Sequence, residues 1–122
     1  FFGEKRPFKV ILGRFAESSG EDVRLGGDPK TLFERIQRNL QNGMPMTFST
    51  NYKLNDFDVD EVQNHHSYSL VGAEEREGRY YINLRNPWGY NWDKNHNKKD
   101  AVITVDLEEA IRAGSWISNF YK

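Results

Sequence analysis

The predicted fold is decided by three consecutive segments: N-H-H-S-Y-S-L-V-G-A (residues 64–73), E-E-R-E-G (residues 74–78) and R-Y-Y-I-N-L-R-N-P-W-G-Y-N-W (residues 79–92). The first and third are rich in apolar and aromatic residues, which favour β-strands. The middle segment is too polar to bury and ends in a turn-forming glycine. The stretch therefore predicts a β-hairpin whose turn lies at residues 74–78.

The open end of this hairpin carries side chains that can take part in catalysis. His66 begins the first strand, and Asn86 ends the second, followed by Pro87 and Trp88. Because paired strands bring these ends side by side, we expect His66 and Asn86 to face each other with Trp88 close by. A histidine held by a side-chain amide and covered by an indole is what a Cys-His-Asn catalytic triad requires apart from its thiol.

The motifs around these residues resemble those of calpain-type cysteine proteases, which have the papain-like fold. H-S-Y-S-L-V-G (residues 66–72) is similar to the histidine motif of that family, and L-R-N-P-W-G (residues 84–89) to its asparagine motif. The two motifs in this order and at this separation are far more specific than either alone. The resemblance implies that His66 and Asn86 are catalytic, and that Trp88 supports them by excluding water from their hydrogen bond.

The papain-like fold has two lobes, and this chain resembles the second one. By that resemblance the first lobe carries the nucleophilic cysteine and the glutamine that donates to the oxyanion. The present sequence contains no cysteine. We therefore expect the chain to be the His/Asn lobe of a longer or processed protein, to need the cysteine-bearing lobe as its partner, and to be inactive alone.

The predicted function is a share in a cysteine endopeptidase that hydrolyses peptide bonds in a peptide or protein substrate. His66 is expected to act as general acid and general base, while Asn86 orients its imidazole. The alternative is a non-catalytic papain-like module that binds a peptide or protein partner. That alternative requires no nucleophile, and it would treat the histidine as an ordinary structural residue.

The chain as a whole predicts a single α+β domain over residues 1–122, dominated by a mostly antiparallel, curled β-sheet or barrel with a flanking helix. Besides the hairpin, strands are predicted at residues 6–14, 44–50, 101–105 and 115–121. Residues 16–27 and 90–100 are rich in polar residues and predict loops.

Two helices are predicted from their caps and apolar spacing. The flanking helix is expected to begin after Asp28, with Pro29 at its first position, and to end at Gly43. Its apolar face is formed by Leu32, Phe33, Ile36 and Leu40. A shorter helix, L-E-E-A-I-R-A (residues 107–113), is expected between a cap at Asp106 and a stop at Gly114.

The charge balance narrows the choice of partners. The 17 Lys and Arg residues nearly balance the 18 Asp and Glu residues, which gives a net charge of −1. Neither nucleic acid nor a membrane surface is therefore a predicted partner. No apolar run reaches transmembrane length, and nothing in the sequence indicates a cellular compartment.

No cofactor or metal is predicted. Asp56, Asp58 and Asp60 resemble the opening of a calcium loop, but Glu61 stands where such a loop needs glycine, and Ser67 where it needs its closing glutamate. Calcium, which the calpain resemblance implies, is thus not supported by the residues. His65 points to the opposite face of the strand from its neighbour and is not expected to share a metal with it.

The remaining aromatic and histidine residues have simple interpretations. Trp92 and Trp116 are interpreted as core or rim aromatics. His96 stands among asparagines and lysines and is interpreted as a solvated loop residue.

Overall fold

Eight strands and two helices are found in the part of the chain that the computed structural model describes, residues 21–51, 62–63 and 66–120. In chain order they are β1 (Glu21–Arg24), α1 (Pro29–Gln41), β2 (Thr47–Ser49), β3 (Ser67–Arg76), β4 (Arg79–Arg85), β5 (Asn91–Trp92), β6 (Lys98–Lys99), β7 (Val102–Asp106), α2 (Leu107–Arg112) and β8 (Trp116–Phe120). The predicted strand at residues 6–14, the acidic segment with Asp56, Asp58 and Asp60, and His65 lie outside the described residues.

Six of the strands form one sheet in the order β1-β8-β2-β3-β4-β7. Every neighbouring pair in it is antiparallel. The expected α+β class with a mostly antiparallel sheet is confirmed, but the expectation of a barrel is wrong for the described residues. The edge strands β1 and β7 do not pair with each other. The helices pack on one face of the sheet, so the apolar side chains of that face are buried although the sheet does not close into a barrel.

The β3–β4 hairpin is the longest pairing in the sheet, and its turn is shorter than predicted. The two strands run on to Arg76 and Arg79, which face each other, so that only Glu77 and Gly78 form the turn. Both turn residues have positive φ, 49° and 81°, the conformation whose twist matches that of paired strands. The charged residues before the turn stay in the strand because its end is exposed; there Arg76 pairs with Glu74 at 2.9 Å.

Helix α1 has the predicted caps. The Asp28 side chain accepts a hydrogen bond from the Thr31 backbone N–H at 3.1 Å and another from its hydroxyl at 2.8 Å. These bonds lower the pKa of Asp28, the hydroxyl of Thr31 having the largest effect. Pro29 is the first helical residue, and Gly43 follows the helix with φ 72°. These residues fix the two ends of the helix, and the helix packs against β3 and β4.

The core lies between α1 and one face of the sheet. Leu32, Phe33 and Ile36 of the helix are buried, and the Phe33 ring contacts that of Tyr80 with centroids 4.8 Å apart. The sheet contributes alternate residues to this layer, as expected for strands with one buried face. The buried members are Phe48, Tyr68, Leu70, Ile82, Leu84, Ile103, Val105 and Ile117.

The second helix follows β7 without a loop. Asp106 ends β7 and caps α2 by accepting from the Glu108 backbone N–H at 2.8 Å. The same carboxylate binds the guanidinium of Arg79, which begins β4. Gly114, with φ 74°, follows the helix and allows the chain to enter β8. The predicted cap and stop are both confirmed.

Two predicted loops contain strands. β1 lies within residues 16–27, where Val23 is half-buried and pairs with Ile117 of β8. β5 and β6 lie within residues 90–100 and form a separate two-stranded ribbon. Both segments are too short and polar for an apolar alternation to be recognised. The pairing partner of β1 is β8, which is distant in the sequence. The β5–β6 ribbon is held by side-chain hydrogen bonds of Asn91.

Neither helix in the described ranges has the length and apolar character needed to cross a bilayer.

Gly72 is predicted to be required by a close contact across the hairpin. A β-bulge lies between Leu70 and Gly72, and a Cβ at Gly72 would stand 2.6 Å from the Nδ2 atom of Asn83. We expect Gly72→Ala to lower the free energy of unfolding by about 1–3 kcal/mol, as overpacking does. Denaturant unfolding monitored by tryptophan fluorescence measures it.

Two variants control this experiment. A Cβ at Gly26 meets no atom within 4 Å, so Gly26→Ala is expected to change stability by about 0.5 kcal/mol or less. Asn83→Ala removes the nearest atom, so the penalty of Gly72→Ala should shrink in that background. An equal penalty in both backgrounds would show that the contact with Asn83 is not its cause.

Candidate active site

The strand ends that carry His66 and Asn86 are fixed by backbone hydrogen bonds. His66 precedes β3, and its backbone is bonded on both sides to Thr50, the residue after β2: its N–H donates to the Thr50 hydroxyl and its carbonyl accepts from the Thr50 N–H, both at 2.9 Å. Asn86 follows β4, and its N–H donates to the Ala101 carbonyl at 2.9 Å. The central hairpin therefore places both residues at one end of the sheet.

The two side chains are joined by a hydrogen bond. His66 Nε2 lies 3.0 Å from Asn86 Oδ1. Because an amide oxygen can only accept, Nε2 must carry the hydrogen. In the neutral ring the other nitrogen, Nδ1, is then the one that can take a proton from a reacting group. Asn86 is fully buried and His66 is half-buried.

Aromatic rings enclose the imidazole. The Trp88 ring lies with its centroid 4.5 Å from that of His66, and the Tyr68 ring meets the imidazole edge-on at 4.9 Å. Trp88 also donates its backbone N–H to Asn86 Oδ1 at 3.0 Å. Its side chain remains 51% exposed, so the indole covers the pair while its outer side faces solvent.

A tight turn brings Trp88 back over the strand end. The Gly89 N–H donates to the Asn86 carbonyl at 2.9 Å, which closes a four-residue turn with Pro87 at its second position. Proline presets the backbone for that position, and Gly89 adopts φ 84° without a steric penalty. The sequence N-P-W-G thus directs the indole toward His66.

The structure adds a residue that the sequence did not single out, Asn91. Asn86 Nδ2 donates to Asn91 Oδ1 at 3.0 Å, and Asn91 Nδ2 donates to the carbonyls of Asp100 and Ala101 at 2.6 and 3.0 Å. Asn91 is fully buried. The one sequence signal for Asn91 is its place between Tyr90 and Trp92. In a strand the middle residue of three points to the opposite face from its two neighbours.

An open groove of about 690 Å³ extends from the site along the β5–β6 ribbon. A row of rings forms one side, with centroids 6.2 Å apart for Trp88 and Tyr90 and 5.4 Å for Tyr90 and Trp92. Trp92 is 37% exposed and Trp116, which does not line the groove, is 42% exposed, so neither is a core residue. The groove is lined by Val62, Gln63, Trp88, Tyr90, Trp92, Asp93, Lys94 and His96.

The ribbon turn beside the groove is organised by Asp93. Its carboxylate accepts from the backbone N–H groups of Asn95 and Asn97, both at 2.9 Å. These bonds lower the pKa of Asp93, that of Asn97 having the largest effect. His96 lies in the same turn with φ 64° and is exposed, as predicted for a loop residue. Among the described residues no three His, Asp or Glu side chains are placed to hold a metal ion.

No family model matches this chain. The structure places His66, Asn86 and Trp88 in mutual contact, which is the arrangement that the hairpin predicts; their catalytic role stays a prediction.

The ribbon turn is predicted to respond to acid through Asp93. Its pKa in the folded chain lies below the ordinary value of 3.8, so the stabilisation by its carboxylate is complete above that value and is lost as pH falls through the lowered pKa. The amide proton shifts of Asn95 and Asn97, measured by NMR, should therefore titrate with a midpoint below 3.8.

Asp93→Asn provides the matched control because its amide oxygen still accepts hydrogen bonds but does not ionise. The same amide shifts should then be constant over that pH range. A midpoint at or above the ordinary value in the unmodified chain would contradict the role assigned to these hydrogen bonds.

Proposed function

We propose that this chain is the His/Asn lobe of a calpain-type, papain-like cysteine endopeptidase. The observation that supports this most directly is the 3.0 Å hydrogen bond between His66 Nε2 and the buried Asn86 Oδ1 beneath Trp88. The two sequence motifs that contain these residues support it independently. An open, mostly antiparallel sheet with a flanking helix is compatible with such a lobe.

In this proposal His66 performs the proton transfers at Nδ1. A cysteine thiol becomes a strong nucleophile only as a thiolate, and an adjacent imidazolium stabilises that form. The thiolate attacks the peptide carbonyl, and Nδ1–H of His66 gives its proton to the departing amine, which leaves a thioester. The neutral ring then takes a proton from the water that hydrolyses the thioester, and the departing thiolate restores the thiolate–imidazolium pair.

Asn86 suits this cycle because it orients the ring without adding a charge. Its Oδ1 accepts from Nε2 whether the imidazole is neutral or protonated, so one rotation of the ring serves every step. A carboxylate at the same fully buried position would carry a large desolvation penalty. Trp88 covers the hydrogen bond, and the low local dielectric strengthens it.

The thiol must come from a different polypeptide segment, since the sequence contains no cysteine. The site is open enough to receive it: His66 is only half-buried, and Trp88 is 51% exposed. We propose that the cysteine-bearing lobe docks on this side and that the peptide substrate binds between the two lobes. Isolated from that lobe, the chain supplies a base and its orienting group but no nucleophile.

A second candidate function is peptide binding without catalysis. The row of rings formed by Trp88, Tyr90 and Trp92 along the open groove favours it, because aromatic-lined grooves are a common means of holding extended peptides. This function would use the groove and would not need the bond between His66 and Asn86. The two candidates therefore differ in what the loss of His66 does.

The endopeptidase proposal predicts a His66-dependent thiol peptidase. The test combines this chain with the cysteine-bearing segment found in its reading frame and follows cleavage of a quenched fluorescent peptide library. We expect activity that alkylating agents abolish, and a loss in kcat/KM of about 10³-fold or more for His66→Ala, since triad members act as a unit. Asn86→Ala should lose about 10²-fold, because the ring keeps its chemistry but not its orientation.

Glu75→Ala is the control, since Glu75 is exposed near the turn of the β3–β4 hairpin, at the opposite end of the strands from the site. This variant should cleave at the unmodified rate. Cleavage that persists undiminished in His66→Ala would contradict the proposal. Peptide binding that is unaffected by His66→Ala, in an assembly with no cleavage at all, would favour the non-catalytic module.

A further inference from the structure

We propose that Asn91 is a positioning residue, which holds the Asn86 side-chain amide with its oxygen toward His66. The importance of that orientation for catalysis rests on the function proposed above. The positioning itself is a property of this chain alone. It is carried by a series of directed hydrogen bonds through two fully buried side chains, those of Asn86 and Asn91.

The orientation of Asn91 is fixed by the backbone. Its Nδ2 group lies 2.6 Å from the Asp100 carbonyl and 3.0 Å from the Ala101 carbonyl. Carbonyl oxygens only accept, so the NH₂ group of Asn91 must face them. Its Oδ1 is thereby turned toward Asn86.

The orientation of Asn86 follows from two neighbours that agree. Asn91 Oδ1 requires a donor, which is Asn86 Nδ2 at 3.0 Å. The Trp88 backbone N–H requires an acceptor, which is Asn86 Oδ1 at 3.0 Å. A flipped Asn86 amide would place donors together at one end and two acceptors at the other, and the contact between the two acceptors would be buried.

Burial makes this arrangement sensitive to Asn91. Asn86 and Asn91 are both 0% exposed, so no bulk water replaces a lost partner. Without an acceptor at position 91, Asn86 Nδ2 becomes a buried donor without a hydrogen bond. The free-energy cost of leaving a buried donor unpaired is larger than the net stabilisation that the hydrogen bond provides. The amide is then free to rotate or to draw water toward His66.

The β5–β6 ribbon also takes part in this positioning. The ribbon pairs Asn91 with Lys99, and the chain then returns through Asp100 to Ala101. The Ala101 carbonyl accepts from both the Asn86 backbone N–H and Asn91 Nδ2. One short segment therefore anchors both asparagines, and the ribbon delivers the acceptor that Asn86 needs.

A purely structural role for Asn91 is the competing explanation. In that role Asn91 would only tie the ribbon to Asp100 and Ala101 through its Nδ2 group. Two substitutions separate the roles. Asn91→Leu removes the acceptor and the donor, whereas Asn91→Asp keeps an oxygen facing Asn86 and loses the amide group that faces the two carbonyls.

The experiment measures solvent exchange of the His66 Nε2 proton by NMR on the complete 122-residue chain. In the unmodified chain this proton should exchange slowly because it is bonded to a buried oxygen. We expect Asn91→Leu to accelerate its exchange by about tenfold or more. Asn91→Asp should accelerate it less, because the acceptor for Asn86 is retained although a carboxyl group is buried against two carbonyls. Asn95→Ala, an exposed change in the same ribbon, should leave exchange unchanged.

Amide shifts of the six-stranded sheet report whether each variant is folded. If Asn91→Leu does not fold, Asn91→Ala takes its place in the comparison with Asn91→Asp. Equal exchange rates in the apolar variant and in Asn91→Asp would overturn the inference, because the role would then be structural. Protection that survives in the folded apolar variant would overturn it as well.

A catalytic readout separates this inference from the proposed function. In the assembled peptidase, Asn91→Ala should lower kcat about tenfold or more with KM little changed, because Asn91 is buried away from the groove, and Asn91→Asp should lower kcat less. Proton protection that depends on Asn91, in an assembly without thiol peptidase activity, would support the positioning and overturn the proposed function alone.

Discussion

A buried amide that must be fully hydrogen-bonded is the constraint on which the site depends. Asn86 is excluded from water, so each of its polar atoms needs a protein partner. Its oxygen accepts from His66 and from the Trp88 backbone, and its nitrogen donates to Asn91. Satisfying this one group fixes the plane of the imidazole, the position of the indole and the path of the following ribbon.

The sheet supplies the rigidity that this constraint requires. The site is built at the ends of β3 and β4, two central strands whose apolar faces are buried under α1. Thr50 and Ala101 hold the two strand ends by backbone hydrogen bonds, so His66 and Asn86 do not rely on a long loop for their placement. A scaffold with little freedom is what the orienting role proposed for Asn86 requires.

The sequence predicted the features that depend on local pattern, and it missed those that depend on distant or polar partners. The central hairpin, the cap at Asp28 and the meeting of His66 with Asn86 follow from apolar runs, turn residues and motifs. The turn was predicted too long, because charged residues can remain in a strand whose end reaches solvent. The β5–β6 ribbon and Asn91 were missed because side-chain hydrogen bonds hold them, and these leave no apolar period to read.

The most direct test of the proposed function is the pH dependence of alkylation of the thiol that the cysteine-bearing lobe would supply in the proposed two-lobe peptidase. If His66, held by Asn86, is the thiol's partner, the thiol should react as a thiolate well below its ordinary pKa of about 8.5. His66→Ala should return the profile to that ordinary value. Identical alkylation profiles with and without His66 would contradict the claim that this histidine activates the nucleophile.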